Sequence, residues 1–199
     1  MFGLRLTIPP SVFHPKFFRT TRVFGEHLQT MDLQGRLVLE MGCGSGVLSL
    51  LAARKGATVT AVDINPAAVA STLSNARANR LEERISACVS DLFAGIPPGR
   101  GFDYILWNPP FYPLEPTDDA SHAWNAGDGY GVLARFARSA GSYLRPGGKV
   151  IIQVSTEIDA EAVLSLFSAR GLEPALIGSR RLPFETVSMY EFPPARHGH

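Results

Sequence analysis

The tetrapeptide Asn108-Pro109-Pro110-Phe111 is the stretch of this 199-residue chain whose residue types are best suited to chemistry. It directly follows Phe102-Asp103-Tyr104-Ile105-Leu106-Trp107, an apolar run of strand length rich in aromatic and β-branched residues. Each proline fixes φ, lacks an N–H and restricts the residue before it. The Asn108 side chain and the carbonyls of Asn108 and Pro109 are therefore expected to stand rigidly at a strand's carboxyl end, with the Phe111 ring beside them. The rest of the chain is read as bringing a cofactor to this corner and framing a substrate over it. The bland alternative is an Asn-Pro turn that closes a strand.

A second group lies upstream, in Glu40-Met41-Gly42-Cys43-Gly44-Ser45-Gly46. Glycines let a backbone approach a ligand closely, and the helix that follows offers free N–H groups. A dinucleotide fingerprint needs G-x-G-x-x-G. Here Gly42 and Gly44 are followed by Val47 in the third place, with Gly46 one residue early. That spacing suits a nucleoside-type cofactor without phosphates. Asp63 closes the next apolar run, where a carboxylate can accept from both ribose hydroxyls. Asp91 follows a third run, in Ser90-Asp91-Leu92-Phe93, placed to meet an adenine amino group. Either aspartate alone could be an ordinary turn residue. Together with the glycine loop they describe one site.

The elements that must position these groups alternate between strand and helix. Strands are expected at 36–40, 58–63, 85–89, 102–107 and 149–154, with two closing strands near Leu176 and at 187–192. Helices are expected at 19–31, with Val23, His27, Leu28 and Met31 inward, and at 47–55. A third runs from Asn65 as N-cap and Pro66 to about Asn79, burying Val69, Leu73 and Ala76. Two more follow, at 131–144 with Leu133, Phe136 and Ala137 inward, and at 159–170 ending at Gly171. Arg145-Pro146-Gly147-Gly148 reads as a turn, and 8–16, with three prolines, as extended chain. The fold class is α/β: a Rossmann-like, mainly parallel seven-stranded sheet with helices on both faces and a C-terminal hairpin supplying an antiparallel strand. Residues 1–34 form an N-terminal strap and helix over the cofactor site, and 35–195 one catalytic unit.

Composition narrows the class. Hydrophobic residues make up 45% and charged residues 19%, a globular balance. Nineteen Lys and Arg against eighteen Asp and Glu leave a net charge of +1, so a long nucleic-acid footprint is not expected. Cys43 and Cys88 make neither a disulfide framework nor a metal site, and the two terminal histidines lack further ligands. No metal is expected. No apolar run reaches membrane-spanning length and no signal-peptide core follows Met1, so a cytoplasmic protein without membrane contact is expected.

The order of the 40–46 loop, Asp63, Asp91 and Asn108-Pro109-Pro110-Phe111 resembles the class I S-adenosylmethionine-dependent methyltransferases. Within them it is similar to the Asn-Pro-Pro-aromatic group that methylates planar nitrogens, and most of all to release-factor glutamine methyltransferases and related small-domain methylases. The resemblance runs from about Val12 to Val154. It implies S-adenosylmethionine as cofactor, with Glu40, Gly42, Cys43, Gly44 and Gly46 around its methionine end. Asp63, with Ile64 beside it, would hold the ribose, and Asp91 with Leu92 the adenine. Residues 12–21 are similar to the family's strap, although Lys16, Phe17 and Phe18 replace the usual residues after Pro15; Thr20 or Thr21 is its expected cofactor contact.

Methyl transfer to an amide or aromatic amine must recruit a lone pair delocalised into a π system. Two acceptors on its N–H bonds would orient that lone pair and stabilise the charge that builds up. Asn108 and the Pro109 carbonyl meet this need, Phe111 can stack on the flat group, and Tyr112 either stacks or serves the framework. In the loop beyond, Trp124 either covers the site or packs elsewhere; His122, Arg135 and Arg138 read as solvated surface. A protein glutamine amide is the first expected acceptor. A nucleic-acid exocyclic amine is the alternative, then a small metabolite, then a non-catalytic S-adenosylmethionine-binding subunit. The 34 residues before the first strand are read as too few for the extra substrate-holding domain of the bacterial release-factor enzymes, so the protein is expected either to meet its substrate through an accessory subunit or to act on something else.

Overall fold

The computed structural model describes residues 1–12, 19–110, 114, 125, 127–156 and 158–193. Its strands are β1 (Leu37–Met41), β2 (Thr58–Asp63), β3 (Ile85–Val89), β4 (Phe102–Trp107), β5 (Leu144–Ser155), β6 (Ala175–Arg181) and β7 (Thr186–Phe192). They form a single sheet in the order β3-β2-β1-β4-β5-β7-β6. The first five strands are parallel, and β7 runs antiparallel to both of its neighbours. The central strands are buried on both faces, which is why they read as nearly unbroken apolar runs. The chain leaves β1 toward β2 on one side and later lays β4 on the other, so a topological switch opens at their carboxyl ends.

Among the described residues five α-helices cover the sheet: α1 (Arg19–Thr30), α2 (Val47–Arg54), α3 (Pro66–Ala78), α4 (Gly131–Ala140) and α5 (Ala160–Ser168). On one face Phe24, Leu28, Leu50 and Leu51 pack over Val38, Leu106 and Ile151. On the other, Phe136 of α4 stands 4.2 Å from Trp107 and 6.0 Å from Phe167 of α5, centroid to centroid. Local chemistry starts the helices where it should. The Asn65 side chain accepts from the Ala67 N–H at 2.8 Å with Pro66 in the first position, and Asp159 accepts from the Ala162 N–H at 2.9 Å.

Three local expectations give way. In α1 the inward face is Phe24, Gly25 and Leu28; Val23 and His27 are only half-buried. In α3 Leu73 is half-buried, and the polar Ser71, Thr72 and Asn75 lie inside with Val69 and Ala76. The reason is that this face packs against loop backbone rather than side chains. Finally, Arg145 to Gly148, expected as a free turn, and Leu144, expected to end the fourth helix, belong to β5, and α4 stops at Ala140. Leu144 pairs with Phe102 before a register shift, and Gly148 lies so close to the Phe102 carbonyl that a Cβ would sit 2.6 Å from it.

Candidate functional site

At the carboxyl ends of β1 to β4 the sheet opens into a cavity of about 300 Å³, within the range of small-molecule sites. Its floor is the loop after β1. Gly42, Gly44 and Gly46 all have positive φ, a conformation costly for any other residue. A Cβ on Gly44 would meet nothing within 4 Å, so the backbone there faces open space. Gly46 turns the other way, and a Cβ on it would fall 2.9 Å from the Thr72 side chain. Gly46 is accordingly not part of the lining, contrary to expectation. Cys43 lines the cavity, but its thiol is buried and accepts from Thr72 Oγ1 at 3.3 Å. Burial, followed by the Asp63 and Glu40 carboxyls, pushes that thiol well above its ordinary range.

Helix α2 begins at Gly46, which has no side chain to cap it. Glu40 takes that part from the end of β1. Its Oε2 accepts from the Ser49 N–H at 2.7 Å and from the Ser49 hydroxyl. The carboxyl is 3% exposed, and burial pushes its pKa up to about 8 against the hydrogen bonds of Ser49. Asp63 closes β2 with both oxygens engaged: Oδ2 accepts from Gly44 N–H and Oδ1 from Asn65 N–H, each at 2.9 Å. Asp63 is thus both a turn-forming residue and part of the lining.

Polar side chains of α3 bind the loop and the N-terminal chain together. Thr72 donates to the Gly44 carbonyl at 3.2 Å, and Asn75 donates to those of Ser45 at 3.0 Å and Thr7 at 3.1 Å. Asn79 clasps Arg5, accepting from its N–H at 3.0 Å and donating to its carbonyl at 2.7 Å. Asn65 donates to the Ser11 carbonyl at 2.9 Å. This row of amides carries the chain along α3 until Ser11 and Val12 reach the cavity wall. Thr21 also lines it, whereas Thr20 is buried outside it.

On the far side Ile64, Asp91 and Leu92 line the cavity. Asp91 is paired with Arg135 of α4 at 2.6 Å, both about half exposed. Arg135 is therefore part of the site rather than plain helix surface. Asn108 and Pro110 line the wall at the end of β4, and Pro109 is buried outside the lining. Asn108 Oδ1 accepts from Gln153 Nε2 at 3.1 Å. Phe111, Tyr112, His122 and Trp124 lie outside the described residues. Asn125 lines the cavity and is 9% exposed.

Sequence reasoning missed Ser11, Asn75, Asn125, Arg135 and Gln153. Only Gln153 left a signal, as the one amide within the apolar run 150–154.

Among the described residues the lining holds the carboxyl groups of Glu40, Asp63 and Asp91, and its one basic residue, Arg135, is paired with Asp91. A nucleoside bearing a positive charge fits both the charge and the open backbone at Gly44. Among the described residues, no group of three or more His, Cys, Asp or Glu could hold a metal, and no helix is long and apolar enough to cross a membrane.

The family model for the methyltransferase small domain matches residues 3–170. A Methanocaldococcus jannaschii protein named for protein N5-glutamine methylation is 32% identical over 191 residues, 93% of each chain. The ribosomal RNA small subunit methyltransferase C of Chromohalobacter salexigens is 35% identical over 153 residues; the match takes in 75% of this chain and 41% of that one. The Mtq2 structure of E. cuniculi, solved as a complex with Trm112, has a TM-score of 0.68 at 22% identity, covering 93% of this chain and 99% of that one. With these likenesses, the glycine loop and the acidic cavity, the chain belongs to the methyltransferase small domain family and is an S-adenosylmethionine-dependent methyltransferase.

Proposed function

We propose that this protein methylates a planar nitrogen, and that its acceptor is the side-chain amide of a protein glutamine. The observation that carries the reading is Asn108, whose carboxamide stands on the wall of the same cavity as Glu40 and Asp63. The Asn108 side-chain oxygen accepts one N–H of the substrate amide and the Pro109 carbonyl accepts the other. Held this way, the nitrogen turns its lone pair toward the cavity. S-adenosylmethionine supplies a methyl group on a sulfonium. The acceptor nitrogen would take that methyl group as the neutral thioether leaves, and the surplus proton would pass to water. Phe111 stacks on the acceptor, and Tyr112 and Trp124 are assigned to the substrate side.

Glu40, Gly42, Cys43 and Gly44 hold the methionine end of the cofactor, Asp63 and Ile64 the ribose, Asp91 and Leu92 the adenine, and Thr21 closes from the strap. Residues 1–34 serve as the cover of a catalytic unit spanning 35–195. The relative that aligns over nearly its whole length is named for glutamine methylation, and this supports a protein substrate. An accessory subunit is proposed by analogy with the complexed neighbour, and a cytoplasmic site of action by analogy with release-factor glutamine methyltransferases. A second reading, an exocyclic amine of RNA, rests on the ribosomal RNA methyltransferase relative. A charge of +1 gives it little electrostatic grip.

The deciding experiment incubates the protein with tritium-labelled S-adenosylmethionine and separate protein, RNA and DNA fractions of a cell extract. Label in protein, recovered as methylglutamine after proteolysis, supports the reading. Label confined to RNA overturns the choice of acceptor.

A further inference from the structure

Gln153 sits in the middle of β5 within Val150-Ile151-Ile152-Gln153-Val154, and it is 0% exposed. Burying an amide among aliphatic side chains is unfavourable unless its donors and acceptor are all matched. Here they are not. Nε2 donates to Asn108 Oδ1 at 3.1 Å, while Oε1 is buried with no partner. It is the only such side-chain atom among the described residues. A leucine or methionine would serve the fold better, so packing does not account for this residue.

Register explains whom it serves. The β4–β5 ladder pairs Leu106 with Ile151 and Trp107 with Ile152, so the next step sets Asn108 against Gln153. The face of the sheet is the same for both, two residues beyond Leu106 and Ile151. Gln153 is therefore aimed at one group only, the carboxamide at the cavity wall.

We propose that Gln153 is a positioning residue that holds the Asn108 carboxamide with its oxygen toward the substrate nitrogen; this rests on the reading of Asn108 given above. A free carboxamide can turn over, exchanging oxygen for NH₂ at nearly the same position. Turned over, Asn108 would set its NH₂ against the Gln153 NH₂ and offer a donor to a substrate that needs an acceptor. The Gln153 donor occupies one lone pair of Oδ1 and leaves the second for the substrate N–H. The prolines fix the backbone, and Gln153 fixes what the backbone cannot.

Q153M keeps the length and removes the polarity; Q153E keeps the shape and, assayed at a pH high enough to ionise the buried carboxyl, offers only acceptors. A carboxylate there favours the turned Asn108, with NH₂ facing it. The assay measures tritium moved from labelled S-adenosylmethionine into acid-precipitable macromolecules of a cell extract, over a range of cofactor concentrations. Cofactor affinity is read by calorimetry and Tm by scanning fluorimetry.

Q153M is expected to lower the limiting rate at least about tenfold. Its cofactor KM and Kd should stay within about twofold, with a Tm equal to or above that of the parent. Q153E should fall to the level of N108A, and N108A/Q153M should be no slower than N108A alone. A rate for Q153M or Q153E within twofold of the parent, with N108A inactive, overturns the role of Gln153. So does a double variant in which the two losses multiply. Should N108A itself transfer methyl normally, the reading of Asn108 fails first, and the positioning role falls with it.

Discussion

Thr7 and Asn75 are joined as two residues of a β-ladder would be, though one of them is a side chain on a helix. The Thr7 N–H donates to Asn75 Oδ1 at 2.7 Å, and Asn75 Nδ2 donates back to the Thr7 carbonyl at 3.1 Å. The same Nδ2 donates to the Ser45 carbonyl at 3.0 Å. One buried amide thus ties the N-terminal chain to the glycine loop.

Asn75→Ala strands these backbone groups together. It should destabilise the protein by about 2–4 kcal/mol and weaken S-adenosylmethionine binding as the loop loosens. Asn79→Ala, which undoes the outer clasp on Arg5 at the exposed end of the row, should cost under about 1 kcal/mol and leave affinity unchanged. Urea unfolding with calorimetric titration separates the two. Equal effects would mean that Asn75 is ordinary scaffold.

Glu40 gives a pH signature. Its ordinary pKa is 4.5 and in the folded protein it is about 8, so the native state keeps a proton that the unfolded chain gives up. The native state binds more protons in that window, and stability must fall as pH rises from about 4.5 to about 8. The slope amounts to a few kcal/mol in total, as an order of magnitude. Glu40→Gln should flatten it, as followed by urea unfolding between pH 5 and pH 9. A cation bound nearby favours the carboxylate, so cofactor binding at pH 7 should release a proton. That release is measurable in buffers of different ionisation enthalpy, and E40Q should abolish it.

Two glycines of one loop should separate stability from binding. Gly46→Ala meets both a φ of 79° and the Thr72 side chain at 2.9 Å, and should cost about 2–4 kcal/mol. Gly44→Ala has a φ of 53° and no neighbour, so about 1–2 kcal/mol of strain is expected. Its methyl group, however, enters the cavity, and cofactor affinity should drop at least about tenfold. Thermal shifts with and without cofactor test the contrast. An affinity loss at Gly46 larger than at Gly44 would reverse these assignments.

Elements governed by local chemistry were legible in the sequence. The ranges of β2, β3 and β4, the Asn65 cap and the closing hairpin follow from apolar runs, cap residues and turn residues. The cavity lining was legible in part, as Gly42, Gly44, Asp63, Asp91 and Asn108. What was hidden depends on long-range register. The polar residues of α3 look like a solvent face until the loop they bind is seen, and hydrophobic periodicity therefore chose Leu73 over Thr72 and Asn75. Arg135 meets Asp91 only because α4 and the end of β3 converge on the cavity mouth. Gln153 meets Asn108 through the β4–β5 ladder, which no local pattern encodes.

In the proposed reaction Asn108 handles the acceptor and not the cofactor. Single-turnover methyl transfer by N108A, measured beside its S-adenosylmethionine Kd, tests it most directly. At least about a hundredfold loss in transfer is expected, with a Kd within about threefold of the parent. A variant that loses cofactor binding and shows no further defect in transfer would contradict it.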